Sequence, residues 1–149
     1  MITLQTGMEF ISTLSCALFA GAALYINVVE HPARMACGTD LAAAEWAPSY
    51  RRATWMQAPL ALIGFVSAVI AWLAGSGAWW LIGGVLLGLV VPVSLVVIMP
   101  TNRRLLSPDL DKNSDDARRL LETWNRLHGI RTVLSLVALV LLLANRQTP

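Results

Sequence analysis

His31 and His128 are the two histidines of this sequence, and both stand at the edge of an apolar run. His31 closes the first run and His128 opens the last, so a helical bundle places them at the same rim. Asn27, Glu30, Arg34, Asn102, Trp124 and Arg131 surround them in sequence. Asn27 and His31 are four residues apart, and His31 and Arg34 are three apart, which puts them on one face of a helix. Trp124, His128 and Arg131 repeat that geometry. Gln57 begins the second apolar run, and Asn102 follows the third after Pro100-Thr101. Every apolar run therefore brings a polar group to about one level.

Polar groups at a membrane boundary are costly unless paired, so these side chains are expected to converge inside the bundle. Three readings of the cluster stand side by side. Histidine moves protons near neutral pH, a carboxylate can fix its tautomer, and arginine or asparagine can stabilise an oxyanion. On that reading His31, His128, Asn27, Asn102 and Arg131 are candidate catalytic residues for a phenolic or enolic substrate arriving from the bilayer. Alternatively, His31, His128 and Glu30 form a two-histidine, one-carboxylate centre for iron, copper or zinc, although no local motif links ligands from separate helices. In the third reading Glu30 pairs with an arginine, the histidines satisfy backbone groups, and the tryptophans anchor the interface. Gly129 beside His128 leaves room for a ligand or a neighbouring helix, and helix packing is its expected use.

The elements that must hold these groups follow from composition. The chain has 149 residues, 56% hydrophobic and 13% charged, with a mean hydropathy of +0.62. That is a membrane composition, and the length suits a single domain over residues 1–149. The long apolar runs lack two-residue alternation, which argues against a β-barrel. The net charge of +2 is small and the basic residues flank apolar runs, so no nucleic-acid partner is expected. Membrane lipids and a hydrophobic small molecule are the expected partners. Cys16 lies mid-run and Cys37 beyond its end, too far apart to bridge, so both are expected as free thiols. No Lys or Arg precedes the first run, which predicts a retained helix rather than a cleaved signal, although Ala20-Gly21-Ala22-Ala23 imitates a cleavage site.

Four spans are predicted, over about residues 10–29, 57–74, 79–99 and 130–144. Gly75-Ser76-Gly77 makes a tight turn between the second and third. The fourth run is short, and the apolar stripe Leu120, Leu121, Trp124 and Leu127 extends it backwards to a cap near Asn113, Ser114 or Asp115. The fold class is thus all-α, a four-transmembrane-helix bundle whose last helix continues on the cytoplasmic side. Pro92 is expected to kink the third helix. Ala17, Ala20, Gly21, Ala22, Gly83, Gly84 and Gly88 permit close packing, and the Gly84/Gly88 pair suits either the bundle or a homo-oligomer. Trp79-Trp80 is expected at the interface opposite the polar cluster, and Trp55 and Trp124 need no reading as an aromatic box. Arg34, Arg51 and Arg52 lie in the first connection, and Arg103, Arg104, Lys112, Arg118, Arg119 and Arg126 in the third, against Arg146 alone on the other side. The positive-inside rule then puts both long connections in the cytoplasm and both termini outside, in a bacterial plasma membrane.

The order of these segments resembles the anthrone oxygenase family, small four-helix membrane proteins formerly classed as a domain of unknown function. The resemblance rests on Asn27-Val-Val-Glu30-His31-Pro32, Trp55-Met-Gln57-Ala-Pro59, Pro100-Thr-Asn102-Arg-Arg-Leu105 and Trp124-Asn125-Arg-Leu-His128-Gly-Ile-Arg131. It implies a membrane oxidoreductase that oxygenates an anthrone-like, phenolic or quinone-like substrate, because fungal relatives are associated with turning anthrones into anthraquinones. It also implies His31, His128, Asn27, Asn102 and Arg131 as functional residues, with Glu30 beside them. It leaves the metal question open. The alternative is a non-catalytic membrane protein binding lipid, quinone or a protein partner at the same rim. GxGxxG, Walker and CxxCH motifs are missing from the sequence.

Overall fold

A computed structural model of the chain describes residues 3–145, and these are all-helical, with no strand among them. Four helices are long and apolar enough to cross a membrane: α1 (Leu4–Ala36), α2 (Thr39–Leu73), α3 (Gly77–Leu105) and α4 (Asp115–Ala144). Helix α1 packs on α2 and α4, and α3 packs on the same two, so α1 and α3 lie diagonally across the bundle. Leu18, Leu62, Val96, Val133 and Val140 point outward and are exposed, as suits helices solvated by lipid. Arg146, the basic residue assigned to the outer side, lies outside the described residues.

Local chemistry sets the helix ends. The Thr3 side chain caps α1 by accepting from the Thr6 amide. Ser114 caps α4 by accepting from Ala117, and Asp115 and Asp116 sit in the first turn, where the helix dipole favours acids. The backward extension expected for the last helix is therefore present. The predicted Gly75-Ser76-Gly77 turn is also present, with positive φ at Gly75 (106°) and Gly77 (37°). Cys16 and Cys37 are both free.

Helix α2 departs from expectation. Its start at Thr39 makes helix of residues that were assigned to a connection, and leaves only Cys37-Gly38 as the link, with Gly38 at φ 96°. Ala42, Ala43 and Trp46 form a buried stripe at helical spacing. Pro48, which interrupts that segment of the sequence, and Pro59 further on both lie on exposed positions inside the helix. Each removes one backbone donor without forcing a stop.

Proline also shapes α1 and α3. Residues Ile26–Glu30 and Ser94–Ile98 form π-helical turns, and Pro32 and Pro100 follow their ends at the same offset. The amide just before each proline bonds five residues back, His31 to Ile26 and Met99 to Ser94. The wide turn makes room for a ring that would collide with the carbonyl four residues earlier. Pro32 therefore widens α1 and does not end it. In α3 a second break falls at Leu89, between the helical stretches Gly77–Gly88 and Val90–Val93 and three residues before Pro92, where the expected kink belongs.

Small residues are spent inside the bundle. A Cβ at Gly84 would meet the Ala68 Cβ at 2.5 Å, and one at Gly88 would press on the Phe65 ring at 3.0 Å. The Gly84/Gly88 pair thus seats α3 on α2. Gly129 differs from its expected packing use, since a Cβ there meets nothing within 4 Å. Trp80 is buried in the bundle at 2% exposure, whereas its neighbour Trp79 is 51% exposed. Gly84→Leu is expected to cost at least ~2 kcal/mol through overpacking. Thermal unfolding in detergent reads this as a lowered midpoint, with Gly129→Ala as the near-neutral control.

Candidate functional site

Two apolar clusters leave a polar layer between them. One gathers Cys16, Phe19, Ala61, Leu87 and Leu142 at mid-bundle, and the other gathers Ile26, Trp46, Ile98, Leu121 and Trp124 at the rim. Asn27, Gln57, Asn102, His128 and Arg131 belong to the four helices at the level where these clusters meet.

Asn27 is the hub. Its Nδ2 donates to the Asn125 backbone carbonyl at 2.9 Å and to Asn125 Oδ1 at 2.7 Å. Its Oδ1 accepts from the Thr132 hydroxyl and faces His128 Nδ1 at 2.8 Å. A backbone carbonyl can only accept, so the Asn27 nitrogen must face Asn125 and its oxygen must face His128. His128 Nδ1 therefore carries a proton and donates it to Asn27. In the neutral ring, Nε2 is left as the basic nitrogen. An amide here does the orienting job that the sequence reading offered to a carboxylate.

Arg131 is held from two sides. Its Nη2 donates to Gln57 Oε1 at 2.6 Å, and its guanidinium lies 5.3 Å from the centre of the Phe19 ring. Arg131 and Asn102 line a cavity of about 120 Å³ between α2, α3 and α4, with Phe19, Tyr50, Val90 and Trp124. Thr54, Ala58, Val91 and Leu95, on the outer faces of α2 and α3, also line it and turn the cavity toward the lipid side. His128 does not line this cavity. It borders a void of about 10 Å³ with Arg34, Gln57 and Arg131, and Tyr50, Thr54, Trp124 and Arg131 are common to both spaces.

The two histidines meet through an indole. The Trp124 ring lies 4.9 Å from His128 and 5.8 Å from His31, centre to centre. Trp46 packs edge-on against Trp124 at 5.6 Å and stacks on Tyr50 at 5.1 Å. Trp124 is thus buried in the site and is no interfacial anchor. Glu30 turns elsewhere. Its carboxylate accepts from Arg34 and from the Ser49 hydroxyl (2.6 Å), while Arg34 Nε also pairs with Glu45 at 2.8 Å. Among the described residues, no group of three His, Cys, Asp or Glu side chains stands close enough to hold a metal ion. The donor set at hand therefore does not fit a two-histidine, one-carboxylate centre.

Gln57 Nε2, Asn102 Oδ1 and Arg131 Nε are buried in this layer without a partner, and so, toward the rim, are His31 Nδ1, Arg34 Nη1 and Trp46 Nε1. Such atoms are expensive in a packed interior unless a ligand or solvent meets them. Apart from His31 Nδ1, which either donates or accepts, and Asn102 Oδ1, these are donors. The layer is therefore suited to an oxygen that carries or develops negative charge.

The sequence-derived candidates Asn27, His128, Asn102 and Arg131 share this layer, and His31 joins it through Trp124. Sequence reasoning left out Asn125, Thr132, Trp46 and Tyr50, and gave Gln57 no role. Asn125 and Thr132 precede and follow His128 by three and four residues, a helical face that the sequence offers. Trp46 and Tyr50 fell in the segment assigned to a connection. Asn27→Leu would strand His128 Nδ1, the Thr132 hydroxyl and the Asn125 amide, each uncompensated group costing about 1–3 kcal/mol. A clear fall in the detergent unfolding midpoint is expected, and Asn27→Asp should fare little better because a carboxylate cannot donate to the Asn125 carbonyl.

No curated protein and no solved structure matches the chain. A family model described as anthrone oxygenase matches residues 46–141. That stretch takes in Gln57, Asn102, Trp124, His128 and Arg131, and leaves Asn27 and His31 ahead of it. With most of its length and all but the first helix's share of the polar layer inside the match, the chain belongs to the anthrone oxygenase family.

Proposed function

We propose that this protein is a membrane oxidoreductase that oxygenates a hydrophobic phenolic, anthrone-like or quinone-like substrate. The observation that carries the reading is the cavity bounded by Arg131 and Asn102, open toward the lipid side between α2 and α3 and separated from His128 only by side chains common to both spaces. An apolar substrate enters from the bilayer and places its oxygen on the Arg131 guanidinium, beside Asn102, whose free Oδ1 can accept from a phenolic hydroxyl. Movement of the Tyr50 or Thr54 side chain joins the cavity to the His128 void. His128 Nε2 then takes a proton from the acidified benzylic methylene, and Arg131 holds the enolate or phenolate oxygen that results.

The carbanion-like carbon reacts with dioxygen. Overall a methylene and one dioxygen give a carbonyl and one water: two C–H bonds break, the O–O bond breaks, and dioxygen is reduced by the four electrons that the carbon loses. Purified protein in lipid nanodiscs is expected to consume one dioxygen per ketone formed across a panel of aromatic methylene substrates. Folded protein that consumes none across that panel would sink the reading.

The same reading places the polar rim on the cytoplasmic side of a bacterial plasma membrane, supported by the basic residues flanking it. A reporter enzyme fused to the C-terminus is expected to be active outside the cytoplasm, and strong cytoplasmic activity would reverse the orientation.

A further inference from the structure

A second space lies on the other side of α2, in a groove of about 490 Å³ between α1 and α2. Its chemistry is ordered along the helix axes. Ala22, Ile26 and Met56 form its wall on the mid-bundle side, and Glu45, Ser49 and Arg52 form its rim side. Glu45, Ser49 and Arg52 follow at four- and three-residue steps and so share one face of α2. Because α2 runs inward from the rim, Glu45 is outermost, Arg52 lies deeper and Met56 deeper still. Gln57 lines the groove as well, is 1% exposed, and has an Nε2 donor without a partner. Glu30 adds a second carboxylate across the groove.

This order of charge matches one kind of amphiphile. In an amine-headed phospholipid the acyl chains lie deepest, the phosphate lies above them, and the ammonium is outermost. Met56, Ala22 and Ile26 suit the chain and Arg52 suits the phosphate, while Glu45 and Glu30, two carboxylates that share the single Arg34 guanidinium, keep a net negative charge that suits the ammonium. An anionic lipid without an amine would leave its outer end against two carboxylates. A quaternary ammonium would bring no N–H to donate to them. We infer that the α1/α2 groove is a binding site for a zwitterionic phospholipid with a primary-ammonium head, the chemistry of phosphatidylethanolamine. The inference needs only the membrane setting and is independent of oxygenase activity.

The test is lipid retention by the whole protein, measured by native mass spectrometry after exchange into detergent with equimolar phosphatidylethanolamine, phosphatidylcholine and phosphatidylglycerol. Selective retention of the ethanolamine lipid is expected. Arg52→Glu reverses an exposed charge inside the groove, and should lower that retention about fivefold, the effect of one well-placed basic residue at a lipid head. Arg103→Glu reverses an exposed charge on the same rim outside the groove, and should leave it unchanged. Glu45→Gln should remove the preference for ethanolamine over choline. Unfolding midpoints confirm that each variant is folded. Equal retention of the three lipids, a preference for phosphatidylglycerol, or an equal loss in Arg103→Glu would overturn the site.

Discussion

His128→Ala is expected to slow substrate-dependent oxygen uptake by about 10²–10⁴-fold, the usual worth of a positioned general base. The expectation rests on the ring's fixed tautomer: Nδ1–H donates to Asn27 Oδ1 at 2.8 Å, leaving Nε2 to act. Lost activity alone would not separate a base from a packing residue, because His128 is 1% exposed and its removal opens space. Added imidazole makes the separation. A free base that diffuses into the gap should restore part of the rate in His128→Ala and none in Asn27→Leu, where the ring remains but its orientation is lost. His31→Ala should cost less, since His31 reaches the centre only through the Trp124 ring. An unchanged rate in His128→Ala removes the proposed base, and a larger loss in His31→Ala transfers that role.

The bundle itself was legible because its signals are additive along a helix. Four apolar runs, the glycine turn at residues 75–77 and the capped extension of α4 each follow from local rules that the tertiary structure does not oppose. The early start of α2 was hidden because Pro48 and the charged Asp40, Glu45, Arg51 and Arg52 interrupt a sequence whose buried stripe is only Ala42, Ala43 and Trp46. A proline on an exposed helix face costs one hydrogen bond, while burial of a tryptophan stabilises the helix by more. The same miscounting of proline concealed the π turns. Pro32 reads as an end, yet α1 widens at Ile26–Glu30 and continues to Ala36.

The candidate site was legible in part for the same reason. The spacing of Trp124, His128 and Arg131 on one helix predicts a shared face, and α4 delivers all three to the polar layer. Pairings across helices were not legible. Asn27 meets Asn125, His128 and Thr132 at sequence separations near one hundred residues, and nothing local chooses an amide over Glu30 as the partner of His128. Glu30 is diverted by its own helix, where Arg34 lies one turn on, and by Ser49, which comes within reach only because residues 39–56 are helical.

Arg131→Leu should lower kcat/KM by about 10²–10³-fold, the loss measured when one oxyanion donor is removed from a preorganised site. Arg131 differs from an ordinary interfacial arginine in being held on two sides, by Gln57 Oε1 at 2.6 Å and by the Phe19 ring at 5.3 Å, while its Nε remains without a partner. A guanidinium fixed in this way needs little reorganisation when charge develops on a substrate oxygen. Arg131→Lys keeps the charge but loses the planar fork, so it should recover only a small part of the rate. Gln57→Leu frees one side of the fork and should give an intermediate loss, mainly in kcat, because a loosened donor still attracts the ground state but no longer matches the transition state. The double variant distinguishes positioning from direct contact. If Gln57 acts through Arg131, then Gln57→Leu adds little once Arg131 is leucine, and the two losses are strongly non-additive. Independent, additive losses would mean that Gln57 acts by some route other than holding the Arg131 fork.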